Sequence, residues 1–308
     1  MSHSETAAIV LAAGLGTRME SELPKVLHAV AGRAMILQLL DSLSTIKPEK
    51  IVLVLGPEMD VVSEAISEAG FTVETVIQQD RLGTGHAVRQ AESVLAGYTG
   101  NILVLYGDSP LITAETMADV LDARTGKDNP AVVVLSFRPF EPGDYGRLNL
   151  DEAGDLVSIV EAKDASDDEL ANDLCNSGFM AIDGALLSDL TAKLSNDNAK
   201  GEYYLTDLVG LATEAGRNCA FVECDEEETL GINSRSELAE AETIQQDRLR
   251  EAAMANGATL INPASVYFSH DTKIGQDVMI DSNVYFGPGV KICDGVHIRA
   301  FCHIEGAF

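Results

Sequence analysis

The sequence predicts an α/β fold in which a Rossmann-like doubly wound domain is followed by a connecting helix and a short parallel β-helix. Three patterns support this prediction. Short apolar runs alternate with segments of helical spacing up to about residue 230, a stretch without glycine or proline follows, and beyond residue 263 apolar residues recur every six positions. These patterns divide the chain into residues 1–233, 234–257 and 258–308.

Four apolar runs in the first part are rich in β-branched residues, as in strands that are buried on both faces of a sheet. They cover residues 7–13, 51–55, 102–105 and 131–137. Segments with apolar residues at helical spacing lie nearby, at 35–43, 59–68 and 87–95. Repeated strand and helix units of this kind predict a mostly parallel sheet.

The second part begins with Ser234-x-x-Glu237, which fits a capping box at the start of a helix. The following residues up to Asn256 contain no glycine or proline, and Gly257 suits the position just beyond a helix. The predicted helix has about 22 residues and a length of roughly 33 Å at 1.5 Å per residue. We expect it to act as an arm between two domains.

The third part has a strict six-residue period. Apolar residues also stand two positions after each member of the series Val266, Thr272, Val278, Val284, Val290, Val296 and Cys302. Hairpins are the alternative, but they need no fixed period, whereas a parallel β-helix requires one. Because the last hexad is followed by no polar cap, we expect truncation of a longer parent chain, with association through the coil faces in addition.

Composition excludes several classes of function. The chain has 21 Lys and Arg against 49 Asp and Glu, a formal net charge of −28, which disfavours binding to nucleic acid or to an anionic membrane surface. No apolar run approaches the roughly 20 residues of a membrane span, and the start lacks the features of a signal peptide. A cytoplasmic location is therefore expected, and any anionic ligand must be held by local groups.

The first predicted strand runs into a glycine turn, L-A-A-G-L-G-T-R-M at residues 11–19, and Pro24-Lys25 follows. Backbone N–H groups of such a turn can approach phosphate oxygens. Arg18 can grip a phosphate through two hydrogen bonds, and Lys25 can act as a mobile point charge. The dinucleotide pattern G-x-G-x-x-G does not fit, since Met19 takes its third glycine position. Taken alone, the turn could be only a tight connection.

The full string resembles the signature of the sugar-1-phosphate nucleotidyltransferases, and other parts of that family's pattern follow in order. They are Gln78 ahead of L-G-T-G-H-A (82–87), L-Y-G-D-S-P-L (105–111), D-Y-G-R (144–147), I-V-E-A-K-D-A (159–165), C-N-S-G (175–178), G-E-Y-Y-L-T-D (201–207) and G-I-N-S-R (231–235). With the hexads appended, the resemblance covers the whole chain. It implies a nucleotidyltransferase domain in residues 1–233 and a left-handed coil in residues 258–308.

The activity that the resemblance implies is attack by N-acetylglucosamine 1-phosphate on UTP, giving UDP-N-acetylglucosamine for cell-wall synthesis and pyrophosphate. It also implies a homotrimer formed through the β-helix in the full-length parent chain. A longer parent chain would acetylate glucosamine 1-phosphate with acetyl-CoA, but no residue here matches that site. Two alternatives stay open, a transferase for another nucleotide or hexose phosphate and a non-catalytic regulatory or scaffold subunit of the same architecture.

The resemblance assigns Mg²⁺ to Asp108 and Asn233. Asp108 follows a predicted parallel strand, at the edge where open α/β sheets bind ligands, and its hard oxygen suits Mg²⁺. The alternative for Asp108 is a helix N-cap before Ser109-Pro110, and helix capping is the alternative for Asn233.

For the substrates, the resemblance places uridine at Gln78, Gly83 and Thr84, and the glutamine amide matches the uracil edge because it both donates and accepts. The sugar is assigned to Gly146, Glu161 and Asn176, which singly would be read as a turn glycine, a surface acid and a strand-end amide. The remaining predicted substrate contacts are Leu11, Ala12, Ala13, Gly14, Lys25, Tyr106, Gly107, Asp108 and Asn233, with Arg18 and Lys25 predicted as catalytic. Arg81 stands where relatives often carry Gln, and the role of this cation beside the uridine pocket is left open.

Overall fold

The computed structural model describes residues 5–308, and its first part is built on one sheet of nine strands. The strands before residue 230 are β1 (Thr6–Leu11), β2 (Ala29–Val30), β3 (Arg33–Ala34), β4 (Lys50–Leu55), β5 (Glu74–Ile77), β6 (Asn101–Tyr106), β7 (Val132–Phe137), β8 (Arg147–Leu150), β9 (Leu156–Val160), β10 (Cys175–Asp183) and β11 (Cys219–Glu223). All but β2 and β3, which pair with each other, join the sheet in the order β5-β4-β1-β6-β10-β7-β11-β9-β8.

The sheet is parallel across β5, β4, β1 and β6 and between β7 and β11. Strand β10 runs antiparallel to both of its main neighbours, β6 and β7, which the sequence pattern did not predict. The four predicted strands are present, but β1 ends at Leu11 instead of residue 13. Residues 12 and 13 leave the sheet after one last bond, from Ala12 N–H to the Val54 carbonyl at 2.8 Å, and start the glycine turn.

Helices cover both faces of the sheet. They are α1 (Met35–Thr45), α2 (Asp60–Glu68), α3 (Thr84–Gln90), α4 (Ala114–Arg124), α5 (Asp167–Leu170), α6 (Leu187–Thr191), α7 (Asp207–Glu214) and α8 (Arg235–Ala255). Ile9 packs in the core beneath α3, α6 and α7, whereas the next residue, Val10, packs in the core beneath α1, α2 and α4. A strand that is apolar throughout is therefore explained by burial on both faces.

The helix predicted at 87–95 differs from the observed one. Helix α3 begins at Thr84, because Gly83 at φ 103° lets the chain turn directly into the helix, and it ends at Gln90. The apolar spacing continues because Ala91 and Leu95 remain buried, but the chain there tightens into turns such as Val94 N–H to the Ala91 carbonyl. Periodicity alone does not distinguish these turns from a continuing helix.

Helix α8 contacts both parts of the molecule, as expected of an arm between two domains. Its buried Ala241 packs with Val30, Met35 and Leu111 of the first part. Further along, the Gln246 side chain donates to the Phe268 carbonyl at 2.7 Å and accepts from the Phe268 N–H at 2.8 Å. These contacts hold the helix against the sheet domain and the coil together.

The coil has three ladders of short parallel strands. They are formed by β12 (Thr259–Leu260), β13 (Val266–Tyr267), β14 (Lys273–Ile274), β15 (Met279–Ile280), β16 (Val284–Phe286), β17 (Lys291–Ile292), β18 (His297–Ile298) and β19 (His303–Ile304). Partners such as Val266 and Val284 are three hexads apart, and the stacked rings of Phe268 and Phe286, 5.1 Å between centroids, fill the interior. The exact division at residues 233 and 257 stays a prediction.

One structural finding bears on membranes. Across residues 5–308, helices are all too short or too polar to cross a bilayer.

Candidate active site

A pocket opens at the carboxyl ends of β1, β5 and β6, where open α/β sheets bind ligands. Most of the predicted substrate contacts line it: Leu11, Ala12, Ala13, Gly14, Lys25, Gln78, Gly83, Thr84, Tyr106 and Asp108. Val26, Arg81, Ala87 and Glu202 complete the wall. Gly14 and Asn233 are more than 200 positions apart in the chain, yet the fold brings both to Lys25 at one edge of the sheet.

The glycine turn packs directly on Lys25. Gly16 has φ 62°, and a Cβ built there would lie 2.6 Å from the Lys25 Cβ, so both the backbone and the contact require glycine. At Gly14 no protein atom lies within 4 Å of such a Cβ, so the space in front of this residue is open. The turn therefore presents bare backbone to the pocket on one side and supports the lysine stem on the other.

Lys25 is the centre of the charged network. It is 7% exposed, and its ammonium contacts Asp108 Oδ2 and donates to Asn233 Oδ1 at 2.9 Å. Asp108 follows β6, whereas Asn233 precedes α8, so two distant segments converge on one positive charge. Burial of the lysine is tolerable because both oxygens are partners for the ammonium.

Hydrogen bonds of main-chain groups hold Asp108 and Asn233 in place. Ile232 N–H donates to the Asp108 carbonyl at 2.9 Å, and Asn233 N–H donates to Glu237 Oε2 at 2.7 Å. The capping alternatives are wrong. Thr113, not Asp108, caps α4, and the Ser234 hydroxyl, not Asn233, accepts from the Glu237 N–H at the start of α8. Both side chains are thereby left to face the cation.

The predicted uridine contacts form one wall of the pocket. The buried Gln78 amide donates to the Gly83 carbonyl at 3.1 Å and lies 3.1 Å from His86 Nδ1. With the NH₂ group held in this way, the Gln78 carbonyl oxygen is the group that can accept a hydrogen bond from a ligand. A uracil edge, with an N–H between two carbonyls, offers the matching donor.

The segment from Gly201 to Thr206 closes this wall. Tyr203 exchanges backbone hydrogen bonds with the 82–85 segment, since its N–H donates to the Leu82 carbonyl and its carbonyl accepts from Gly85 N–H, both at 2.8 Å. A Cβ at Gly83 would lie 2.6 Å from the Tyr203 carbonyl oxygen. Sequence reasoning missed Glu202 as a lining residue. The family pattern G-E-Y-Y-L-T-D at 201–207 contains Glu202, but no role was assigned to any single residue of this segment.

Tyr106 and Thr84 connect the nucleotide wall to the sugar side. Burial raises the pKa of Tyr106, and the charges of Glu161 and Asp108 add to the rise, so the phenol stays protonated. Thr84 Oγ1 accepts from the Leu205 N–H at 3.1 Å. Both side chains line the pocket.

The three predicted sugar contacts lie beyond Tyr106, outside the lined pocket. Asn176 is buried and its N–H donates to the Gly146 carbonyl at 2.9 Å, which places these two residues side by side. Thr206 Oγ1 donates to Glu161 Oε1 at 3.0 Å. Gly107 follows β6 and bonds through its N–H to the Leu11 carbonyl at 2.9 Å.

Arg18 differs from the other predicted residues. It lies in the short 3₁₀ turn Thr17–Met19, is exposed and does not line the pocket. The structure therefore does not bring Arg18 together with the other predicted residues, and its catalytic role stays a prediction.

Residues 8–158 match the MobA-like NTP transferase domain, and residues 271–306 match the bacterial transferase hexapeptide, six repeats. The chain is 56% identical over 306 residues to the Bifunctional protein GlmU of Paramagnetospirillum magneticum, a match that covers 99% of this chain and 67% of that protein. This chain belongs to the GlmU family. The GlmU protein of Rhodospirillum rubrum is likewise 56% identical, over 304 residues, with 99% and 67% covered.

The chain spans about two thirds of the length of these GlmU relatives. Membership of the GlmU family confirms the predicted fold class. It also confirms the predicted enzyme class, a nucleotidyltransferase, and the predicted UDP-N-acetylglucosamine uridyltransferase activity. The inositol-1-phosphate CTP transferase from T. maritima superposes with a TM-score of 0.59 at 16% identity, over 76% of this chain and 91% of that one. That likeness concerns the fold alone.

Proposed function

We propose that UTP and N-acetylglucosamine 1-phosphate react in the pocket at β1 and β6, with Lys25 neutralising phosphate charge and Mg²⁺ held by Asp108 and Asn233. The observation that supports this assignment is the placement of the Lys25 ammonium between the two oxygens, beside an open glycine turn. A buried cation at this position is what two polyanionic substrates need in a chain of net charge −28.

The donor set fits a divalent ion. Asp108 and Asn233 offer a carboxylate and an amide oxygen that already converge on one positive charge, and Mg²⁺ prefers such oxygens. Within residues 5–308, no group of three or more His, Cys, Asp or Glu side chains is arranged to hold a metal ion. Mg²⁺ is usually bound through one or two protein oxygens and keeps waters and substrate phosphates among its other ligands, so the two oxygens are a sufficient protein contribution. When bound, the ion would neutralise phosphate oxygens.

Lys25 has two partner sets that compete. Without a nucleotide its ammonium satisfies Asp108 and Asn233, whereas phosphates at the glycine turn offer it stronger partners. A shift of the flexible side chain toward the phosphates frees both oxygens for the divalent ion. The buried charge is therefore paired before and after substrates bind.

The reaction needs little from the protein besides position and charge. A phosphate oxygen of the sugar phosphate forms a bond to the α-phosphorus of UTP, the bond from that phosphorus to the bridging oxygen breaks, and pyrophosphate leaves with the electron pair. No general base is required, since the phosphate oxygen is already ionised. Gly14 N–H and Lys25 stabilise charge that develops on the phosphates, and Arg18 assists from the rim.

The substrates are selected by separate walls. Gln78 and Gly83 hold the uracil edge, and Thr84 borders it. Gly146, Glu161 and Asn176 hold the sugar, where a carboxylate and an amide suit hydroxyl and N-acetyl groups.

The test is pyrophosphate release from UTP, CTP, ATP, GTP and dTTP with N-acetylglucosamine 1-phosphate and Mg²⁺. We expect release from UTP alone, and its loss with EDTA. Lys25→Ala should lower turnover by roughly 10²-fold or more, as the loss of an oxyanion donor does. Lys127→Ala, which removes an exposed lysine from a loop outside the pocket, is the matched control.

A fully active Lys25→Ala protein would refute the assigned role of this lysine. Release from another nucleotide, or another hexose phosphate, would redirect the substrate assignment. Binding of UTP by a folded chain without any turnover would favour the scaffold alternative.

A further inference from the structure

Arg81 spans three strand ends at the nucleotide pocket. It follows β5 in the chain, yet its Nε–H donates to the carbonyl of Ala13, just beyond β1, at 2.7 Å. Since the sheet order is β5-β4-β1, the side chain must cross the end of β4 to make this bond.

Gly56, just after β4, makes the crossing possible. A Cβ built on this residue would overlap Arg81 Nη2 and would lie 3.2 Å from the Ala13 carbonyl oxygen. Gly56 has no positive φ, so its backbone conformation is open to any residue. A side chain at this position would have to displace the guanidinium and would also crowd the Ala13 carbonyl oxygen.

The two segments that Arg81 joins bind opposite ends of a nucleotide. Arg81 belongs to the segment 78–84, which carries the Gln78 amide and Gly83, and Ala13 belongs to the glycine turn beside Lys25. A nucleotide that spans both segments needs their separation to be correct. A hydrogen bond from a charged donor is strong enough to set this separation before the ligand arrives.

We infer that Arg81 is a positioning residue that clamps the base-binding segment to the phosphate-binding turn and thereby sets the affinity for the nucleotide. The inference rests on the proposed binding of UTP in this pocket. Arg81 prepares the site and leaves the chemical step to Lys25, so its loss weakens binding without slowing turnover at saturation.

The test compares Arg81→Met, Gly56→Ala and the double variant with the wild-type chain, by equilibrium UTP binding and by steady-state kinetics. Gly56→Ala displaces the guanidinium while keeping its charge. Each single change should raise the Kd and the KM for UTP by about three- to tenfold with kcat within about twofold, because only preorganisation is lost. The Kd of the double variant should be no higher than that of the single variant that binds UTP less tightly, since both changes break the same clamp.

Arg217→Met removes an exposed arginine of the loop after α7, away from the pocket, and is the control for net charge. It should leave Kd unchanged. Thermal unfolding of every variant should match the wild type within a few degrees.

An unchanged Kd for UTP in Arg81→Met overturns the clamp. A double variant whose increase in Kd is the product of the two single increases also overturns it, and so does a fall in kcat at constant KM. Wild-type chain that binds UTP without turnover refutes the proposed function while the Kd comparison still decides the clamp. Wild-type chain that does not bind UTP overturns both.

Discussion

At the level of single residues, the pocket depends on glycines whose conformation or contacts exclude a side chain. Gly83 combines φ 103° and ψ 175°, a backbone region that is essentially confined to glycine, with a close approach to the Tyr203 carbonyl. Gly16 is held by the lysine stem in the same way. The pocket wall is therefore specified by missing side chains as much as by polar ones.

Gly83→Ala should destabilise the chain more than Gly70→Ala does. Gly70 also has a positive φ, 86°, but no atom lies within 4 Å of the position of its Cβ. The Gly70 change should cost about 1 to 2 kcal/mol for backbone strain alone, and the Gly83 change about 2 kcal/mol more, since the Tyr203 backbone must shift. Urea unfolding midpoints measure both, and equal costs would show that the 201–206 segment yields freely.

At the level of elements, the start of α7 brings acidic groups together. Asp207 is the first residue of α7 and faces Glu161 and Asp164 from the loop after β9. The Thr206 hydroxyl donates to Glu161, and the Tyr204 hydroxyl donates to Asp164 at 3.3 Å. No cation is among the groups that shift the pKa of Asp207. Burial raises the pKa of Asp207 to about 6, and the two neighbouring carboxylates add to the rise.

This arrangement predicts that Asp207 lowers the stability of the folded chain in a pH-dependent way. The folded pKa lies above the ordinary value of 3.8, so the contribution of Asp207 to stability falls as pH rises from about 4 to about 6 and then stays constant. Asp207→Asn should therefore stabilise the chain at pH 7.5, by about 1 kcal/mol after allowance for solvent screening of this half-exposed group, and by less at pH 5.

Thermal unfolding at both pH values measures the effect. Asp189→Asn, at the start of the short helix α6, is the control for loss of a carboxylate in a first helical turn. A gain that is the same at pH 5 and pH 7.5 would contradict the raised pKa.

At the level of the whole molecule, α8 and the coil form a continuous body with the sheet domain. The coil carries a column of exposed aromatic rings on the β13-β16-β19 ladder, where Tyr267 and Tyr285 are 44% and 49% exposed and Tyr285 lies edge-on to His303. Large aromatic side chains are enriched in interfaces between subunits. We expect this ladder to be a subunit contact of the homotrimer predicted for the full-length parent chain.

Sedimentation velocity of the Tyr267→Ser, Tyr285→Ser double variant tests this contact. The wild-type chain should sediment as a larger species than the double variant, because the aromatic area at the contact is lost. Met279→Ser, an exposed apolar change on a different ladder, is the control. A double variant that sediments at the same rate as the wild-type chain would contradict this expectation.

Sequence patterns were sufficient where the physics is local or periodic. Burial on both faces makes β1, β4, β6 and β7 apolar throughout, and the 18-residue register of the coil follows from three hexads per turn. The polar residues at Lys25, Gln78 and Asp108 could be selected because their order along the chain matches a known family pattern. The antiparallel β10 could not be predicted, since a buried strand has the same composition in either direction.

The apolar strands, the capped helix, the hexapeptide coil and the family can all be predicted from the amino-acid pattern. The contacts between polar groups become visible only in the folded chain: Lys25 with Asp108 and Asn233, Tyr203 with Gly83, and Arg81 with Ala13 across Gly56. The reason is that strand and helix patterns depend on near neighbours in the chain, whereas these contacts depend on sheet order and on how closely backbones approach. A single sequence records neither quantity directly.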